Sequence, residues 1–104
     1  MQIIARDELK ARIDSGADIR LVMVAGSWHY NQMRLPGSIQ INTLETALKT
    51  LDKDDDIIVY CTGGVCMASI QAYHTLKAHG YRHVRRYEGG LMEWEAAGYP
   101  LESN

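Results

Sequence analysis

Short β-branched apolar runs alternate along this chain with stretches of helical period, and the connections between the runs are too long for hairpins. Ile19 to Val24, Ile39 to Ile41, Ile57 to Tyr60 and His83 to Tyr87 read as strands. Between them lie helical patterns. Asp7 is placed to cap a helix from Glu8 to Ser15, ended by Gly16, and Thr43 to cap one from Leu44 to Leu51. A third follows a glycine-containing loop and runs to His79, where Gly80 stops it, and a fourth covers Leu91 to Ala97. Gly26 to Arg34 reads as a loop, heavy for a turn because it carries Trp28 and Tyr30. Such alternation demands parallel strands joined by right-handed helical crossovers, with helices on both sheet faces. The expected class is therefore α/β, a three-layer open sheet that is mainly parallel. The 104 residues give room for one domain, spanning 1–104.

Charge and cysteine content narrow the function. Eleven basic side chains face thirteen acidic ones, a net charge of −2, which argues against a general nucleic-acid binder. The apolar runs are too short to span a bilayer. The opening MQIIARDELK lacks the basic-then-apolar plan of a secretory leader, so a cytoplasmic protein is expected. Two cysteines are too few for a disulfide framework and call for packing, metal ligation or chemistry as their explanation. The acidic run Asp52 to Asp56 lacks the spaced glycine and downstream glutamate of a calcium loop and reads as a solvated connection.

In open parallel sheets, ligands gather beyond the carboxyl ends of the strands. That rule points to VYCTGGVCMAS, where Cys61 comes directly off an apolar strand, followed by Gly63-Gly64 and a helix. Glycines let successive amides turn into one concavity, and the helix adds its unsatisfied N–H groups. A thiol in such a cradle ionises more readily, and a persulfide anion is stabilised by the same amides. Cys61 is thus the candidate nucleophile; the competing reading is a small hydrophobe at a strand end. Cys66, five residues on, stands either as a resolving thiol for a persulfide or sulfenate on Cys61, or as packing under the helix.

A metal reading also has to be met. Cys61, Cys66, His79 and His83 satisfy the spacing of a Cys₂His₂ zinc finger. A finger needs its helix to run through both histidines, whereas Gly80 follows His79 at once, and it needs a hairpin to hold its cysteines. No metal is expected.

Four stretches resemble the rhodanese family of single-domain sulfurtransferases, in a variant with a second cysteine in the active loop. DELKARIDSG is similar to the family's opening helix, and LVMVAGSWHYNQMRLPGSIQIN to its first signature. DDIIVYC resembles the strand that ends in the active cysteine. HGYRHVRRYEGGLMEWEAAGYPL, with Gly89, Gly90, Trp94, Gly98 and Pro100, resembles the closing signature most specifically. The resemblance implies a five-stranded parallel sheet between helices and no organic or metal cofactor. It implies sulfur transfer from thiosulfate or a persulfide, including a protein persulfide, to a thiol acceptor. By the same resemblance the persulfide cysteine is Cys61, and Thr62, Gly63, Gly64, Val65 and Met67 surround it as the anion cradle.

The departures are specific. Met23, Ala25, His29 and Met33-Arg34 occupy the charged or glycine–histidine positions of the first signature, and Cys66 stands where many relatives close the loop with arginine. Losing that fixed cation weakens the grip on a dianion such as thiosulfate. Three functions compete. The first is a sulfurtransferase or persulfide carrier. The second is a non-catalytic interaction module. The third, an oxyanion-handling phosphatase or arsenate reductase, lacks the arginine it needs. Of the remaining residues, His29, His74 and His79 read first as surface or satisfied side chains, and of the three His29, near the first signature, is the alternative site neighbour. Arg82, Arg85 and Arg86 read as a solvated strand edge, Trp28 and Trp94 as packing over the sheet, and Met67 as pocket lining or core filler.

Overall fold

The computed structural model describes residues 1–41, 43–63 and 67–104. Nine elements follow in order: α1 (Arg6–Asp14), β1 (Ile19–Met23), α2 (Ser27–Gln32), β2 (Ile39–Gln40), α3 (Leu44–Thr50), β3 (Asp56–Tyr60), α4 (Met67–Ala78), β4 (His83–Arg86) and α5 (Gly90–Ala96). The strands form one parallel sheet in the order β2-β1-β3-β4. Strand β3 is central, and its side chains alternate between two cores as the pleat requires. Ile58 and Tyr60 join Leu9, Leu21, Tyr87, Leu91 and Trp94 on one face. Ile57 and Val59 join Ala47, Leu51, Tyr73, Leu76 and Val84 on the other. Burial on both faces is why β3 reads as an unbroken apolar run.

The sheet has four strands among the described residues, where the family resemblance implied five. The fifth position is reduced to a single parallel bridge between Ile3 and Arg86. There Arg86 N–H donates to the Gln2 carbonyl (2.9 Å) and Ile4 N–H to the Arg86 carbonyl (3.1 Å). The ladder cannot lengthen, because α1 begins at Arg6.

Capping explains a second set of differences. Thr43 does cap α3, its Oγ1 accepting from Thr46 N–H at 3.2 Å. Asp7 does not cap α1, which begins at Arg6, two residues before the expected Glu8, and has no side-chain cap at Ala5. The Asp7 carboxylate instead accepts from Tyr99 OH (2.8 Å) and Arg6 Nε (3.0 Å). The Gly26 to Arg34 segment, read as a loop, contains the six-residue α2, too short to show an apolar period and without a side-chain cap. Trp28 on it is 69% exposed and does not pack over the sheet. Trp94 does: it is fully buried, stands edge-on to Tyr87 and Tyr99, and donates to the Pro100 carbonyl. The acidic connection is only partly solvated, since Asp56 opens β3 and pairs with Arg85 (3.2 Å). No helix is long and apolar enough to cross a membrane among the described residues.

Candidate functional site

The strand that leads into the site is fastened by its last side chain. Tyr60 OH accepts from Leu35 N–H (3.0 Å) and shares a 2.6 Å hydrogen bond with Ser38 Oγ, all three residues being buried. The turn at Pro36-Gly37 is thereby locked to the end of β3. Burial pushes the Tyr60 phenol up to about 12, outweighing the two hydrogen bonds that act the other way. Burial moves Tyr87 and Tyr81 in the same direction.

A phenol whose folded value is raised stabilises the fold fully below the unfolded value near 10 and loses that contribution as pH climbs through its folded value. Denaturant titrations are therefore expected to give a flat unfolding free energy from pH 7 to 9. A fall on the order of 2 kcal/mol or more should follow between about pH 10 and 12. Tyr60→Phe should remove part of that fall. At neutral pH it should cost about 1–3 kcal/mol, because Leu35 N–H and the Ser38 hydroxyl lose their buried partner. Unchanged stability through pH 12 would contradict the assignment.

Cys61 follows directly, 5% exposed, at the carboxyl end of the central strand. It is disulfide-bonded, so its sulfur is not a free thiol in this state. Its backbone is held from two sides. Val24 N–H donates to the Tyr60 carbonyl at 2.8 Å from the β1 side. From the start of α5, Leu91 N–H donates to the Cys61 carbonyl (3.0 Å) and Met92 N–H to the Thr62 carbonyl (2.9 Å). Three successive carbonyls at the mouth of the sheet are thus fixed by backbone amides of neighbouring elements.

Gly90 makes this approach sterically feasible. Its φ of +64° lies in the left-handed region, and a Cβ built there would stand 2.5 Å from the Cys61 carbonyl oxygen and 3.0 Å from Gly63 N. Sequence reading connected Gly89-Gly90 with the family signature but not with Cys61. The link is a backbone contact across 28 residues or more, which no local pattern encodes.

The other predicted residues divide. Thr62 is half-buried, its Oγ1 3.9 Å from Cys61 Sγ. Gly63 lies against Met92, whose sulfur would meet an added Cβ at 3.3 Å. Met67 opens α4 and is 61% exposed, so it fills no core. Gly64, Val65 and Cys66 lie outside the described residues. His29 is exposed on α2, edge-on to the Trp28 ring at 5.0 Å. Of the zinc-finger spacing, the histidine half is described: α4 ends at Ala78 and His83 opens β4, so no helix runs through His79 and His83 as a finger requires. A cavity of about 290 Å³ between α3 and α4, floored by Val22 and Val59, is lined by none of the described residues predicted for the site.

Arg86 is the largest correction. Read as part of a solvated edge, it is 3% exposed, and its Nε donates to Ser69 Oγ in the first turn of α4 (2.9 Å). Arg85 pairs with Glu8 and Asp56, and only Arg82 of the three conforms to the expectation. The alternation of β4 held the clue, because Arg86 shares a face with Val84, which is wholly buried.

Comparison with known proteins converges on one family. The model of the rhodanese-like domain matches residues 5–97. A curated HTH-type transcriptional regulator of Mycobacterium tuberculosis is 36% identical over 101 residues, which cover 95% of this chain and 44% of the regulator. The chain therefore spans less than half the length of that relative. A sulfurtransferase of Allochromatium vinosum is 27% identical over 94% of this chain and 92% of its own length. Among solved structures, the rhodanese-like domain of an Anabaena protein superposes with a TM-score of 0.89 at 28% identity. That match covers all of this chain and 80% of the Anabaena chain.

Proposed function

The chain belongs to the rhodanese-like domain family, and from that premise we propose that it is a sulfurtransferase carrying sulfane sulfur as a persulfide on Cys61. The observation that carries this reading is the place of Cys61: the end of the central parallel strand, with its own carbonyl and its neighbours' tied by the amides of Val24 and of α5. A sulfur atom so mounted has a fixed position from which to attack. The similarity to a sulfurtransferase over nearly that protein's full length supports it.

The chemistry balances as two displacements. The Cys61 thiolate attacks the outer sulfur of thiosulfate, and sulfite leaves with the electron pair of the broken S–S bond. An acceptor thiolate then attacks the outer sulfur of the persulfide, and the Cys61 thiolate leaves. In a second branch the Cys66 thiolate attacks the inner sulfur, expelling hydrosulfide and closing a disulfide, which a dithiol must reduce before the next cycle. The disulfide-bonded state of Cys61 is compatible with that branch. Cys66 stands where relatives place the loop arginine, so polysulfides and persulfides should load the protein faster than dianionic thiosulfate.

Intact mass of the reduced protein tests this after incubation with thiosulfate or polysulfide. An adduct of about 32 Da, one sulfur atom, is expected, removed by cyanide as thiocyanate. Absence of any adduct from both donors would make the domain a non-catalytic interaction module.

A further inference from the structure

The loop that carries Cys61 brings no charge of its own. From Thr62 to Tyr73 the only ionisable side chains are Cys66 and Tyr73. A sulfur anion there must draw any fixed positive charge from another element. Building on Cys61 as the sulfur carrier, we infer that Arg86 supplies it, acting as a positioning residue that braces the far flank of the loop through Ser69.

Register places the guanidinium. Arg86 pairs with Val59 in the parallel ladder, and Tyr87 N–H donates to the Val59 carbonyl (2.9 Å). Paired residues of a parallel sheet project to the same face. Here that face is covered by α4, since Val59 packs with Tyr73 and Leu76, and Arg86 bonds Ser69. Cys61 lies two residues beyond Val59, so strand geometry sets its Cα about 8 Å from that of Arg86. Ser69, 1% exposed, is three residues past Cys66. Arg86 therefore stands between the two flanks of the loop, at the strand end on one side and the first turn of α4 on the other. Its guanidinium stays charged at every working pH.

Other charges bear on the same place. Glu88 follows β4 and lies 3.9 Å from Arg86, itself 62% exposed in its side chain. Glu93 on α5 accepts from Tyr87 OH at 3.0 Å. On α4 the first charged or titratable groups after Tyr73 are His74 and Lys77. Buried, and with Nε on Ser69 of α4, Arg86 is the cation fixed against the loop's downstream flank. The segment 86–92 then holds the loop at both ends, by Arg86 on the downstream flank and by the Leu91 and Met92 amides on the upstream one.

The test uses the full chain in a Cys66→Ser background, reduced, with iodoacetamide as the probe of Cys61 and thermal unfolding to verify folding. Arg86→Gln should slow alkylation about tenfold at pH 6.5 and leave it unchanged at pH 9.5, where the thiol is ionised regardless. Arg86→Lys, which keeps the charge, should restore the pH 6.5 rate to within about threefold of the parent. Ser69→Ala keeps the cation and loosens its hold, so persulfide loading should fall severalfold at both pH values with no change in the pH profile. A folded Arg86→Gln protein that alkylates like its parent at pH 6.5 would overturn the inference, as would unimpaired loading of Ser69→Ala. A parent that alkylates at pH 6.5 no faster than glutathione would instead overturn the reading of Cys61 itself.

Discussion

Cys61→Ser protein, reduced and incubated with either sulfur donor, acquires no cyanide-labile adduct, whereas Cys66→Ser acquires it and keeps it longer than the unmodified chain. The loss at position 61 is complete because a serine hydroxyl is a poor nucleophile toward sulfane sulfur and forms no persulfide. The gain at position 66 follows from the second branch of the chemistry. With no neighbouring thiol to expel hydrosulfide, the persulfide decays only by external acceptors. Intact mass under non-reducing conditions supplies a second readout. The oxidised chain, in which Cys61 is disulfide-bonded, weighs about 2 Da less than the reduced one and should not load until a dithiol has been added. Both substitutions are small and leave the Tyr60 anchor and the backbone ties of Cys61 in place, so folding is not expected to confound them. Loading that survives at Cys61→Ser and vanishes at Cys66→Ser would move the carrier sulfur to Cys66.

The alternation of buried runs and helical stretches made the layer order legible, because the central strand β3 is buried on both faces and each crossover is long enough for a helix. What stayed hidden has a common cause. The fifth strand survives as one bridge at Ile3, and a single pair leaves no periodic trace in sequence. Helix α2 has six residues and an exposed tryptophan, so its composition resembles a loop. Position 61 was legible because strand, cysteine, glycine pair and helix are contiguous in the chain. The ties from α5 to the Cys61 and Thr62 carbonyls were not legible, since glycine reads as turn until the tertiary contacts are known. Strand alternation alone would have put Arg86 beside Val84 and inside.

Gly90 offers the sharpest test of how tightly the site depends on that remote segment. Gly90→Ala and Gly98→Ala place the same methyl group on backbones of nearly equal strain, φ +64° and +76°. At Gly98 nothing lies within 4 Å of the added carbon, so the cost is the left-handed conformation alone, on the order of 1 kcal/mol. At Gly90 the methyl meets the Cys61 carbonyl oxygen at 2.5 Å and the Thr62 carbonyl carbon at 3.1 Å, all backbone that no rotamer change relieves. Either α5 retreats, breaking the hydrogen bonds from Leu91 and Met92, or the Cys61 segment shifts by a comparable distance. Both outcomes misplace the sulfur. We expect Gly90→Ala to lose about 2–4 kcal/mol of stability and to load sulfur about a hundredfold more slowly than the parent, while Gly98→Ala loads normally. Stopped-flow sulfite release from thiosulfate, run at a temperature where circular dichroism shows all three proteins folded, separates the two effects. If Gly90→Ala folds and still matches the parent rate, the hold of α5 on the Cys61 carbonyl has no part in placing the reactive sulfur.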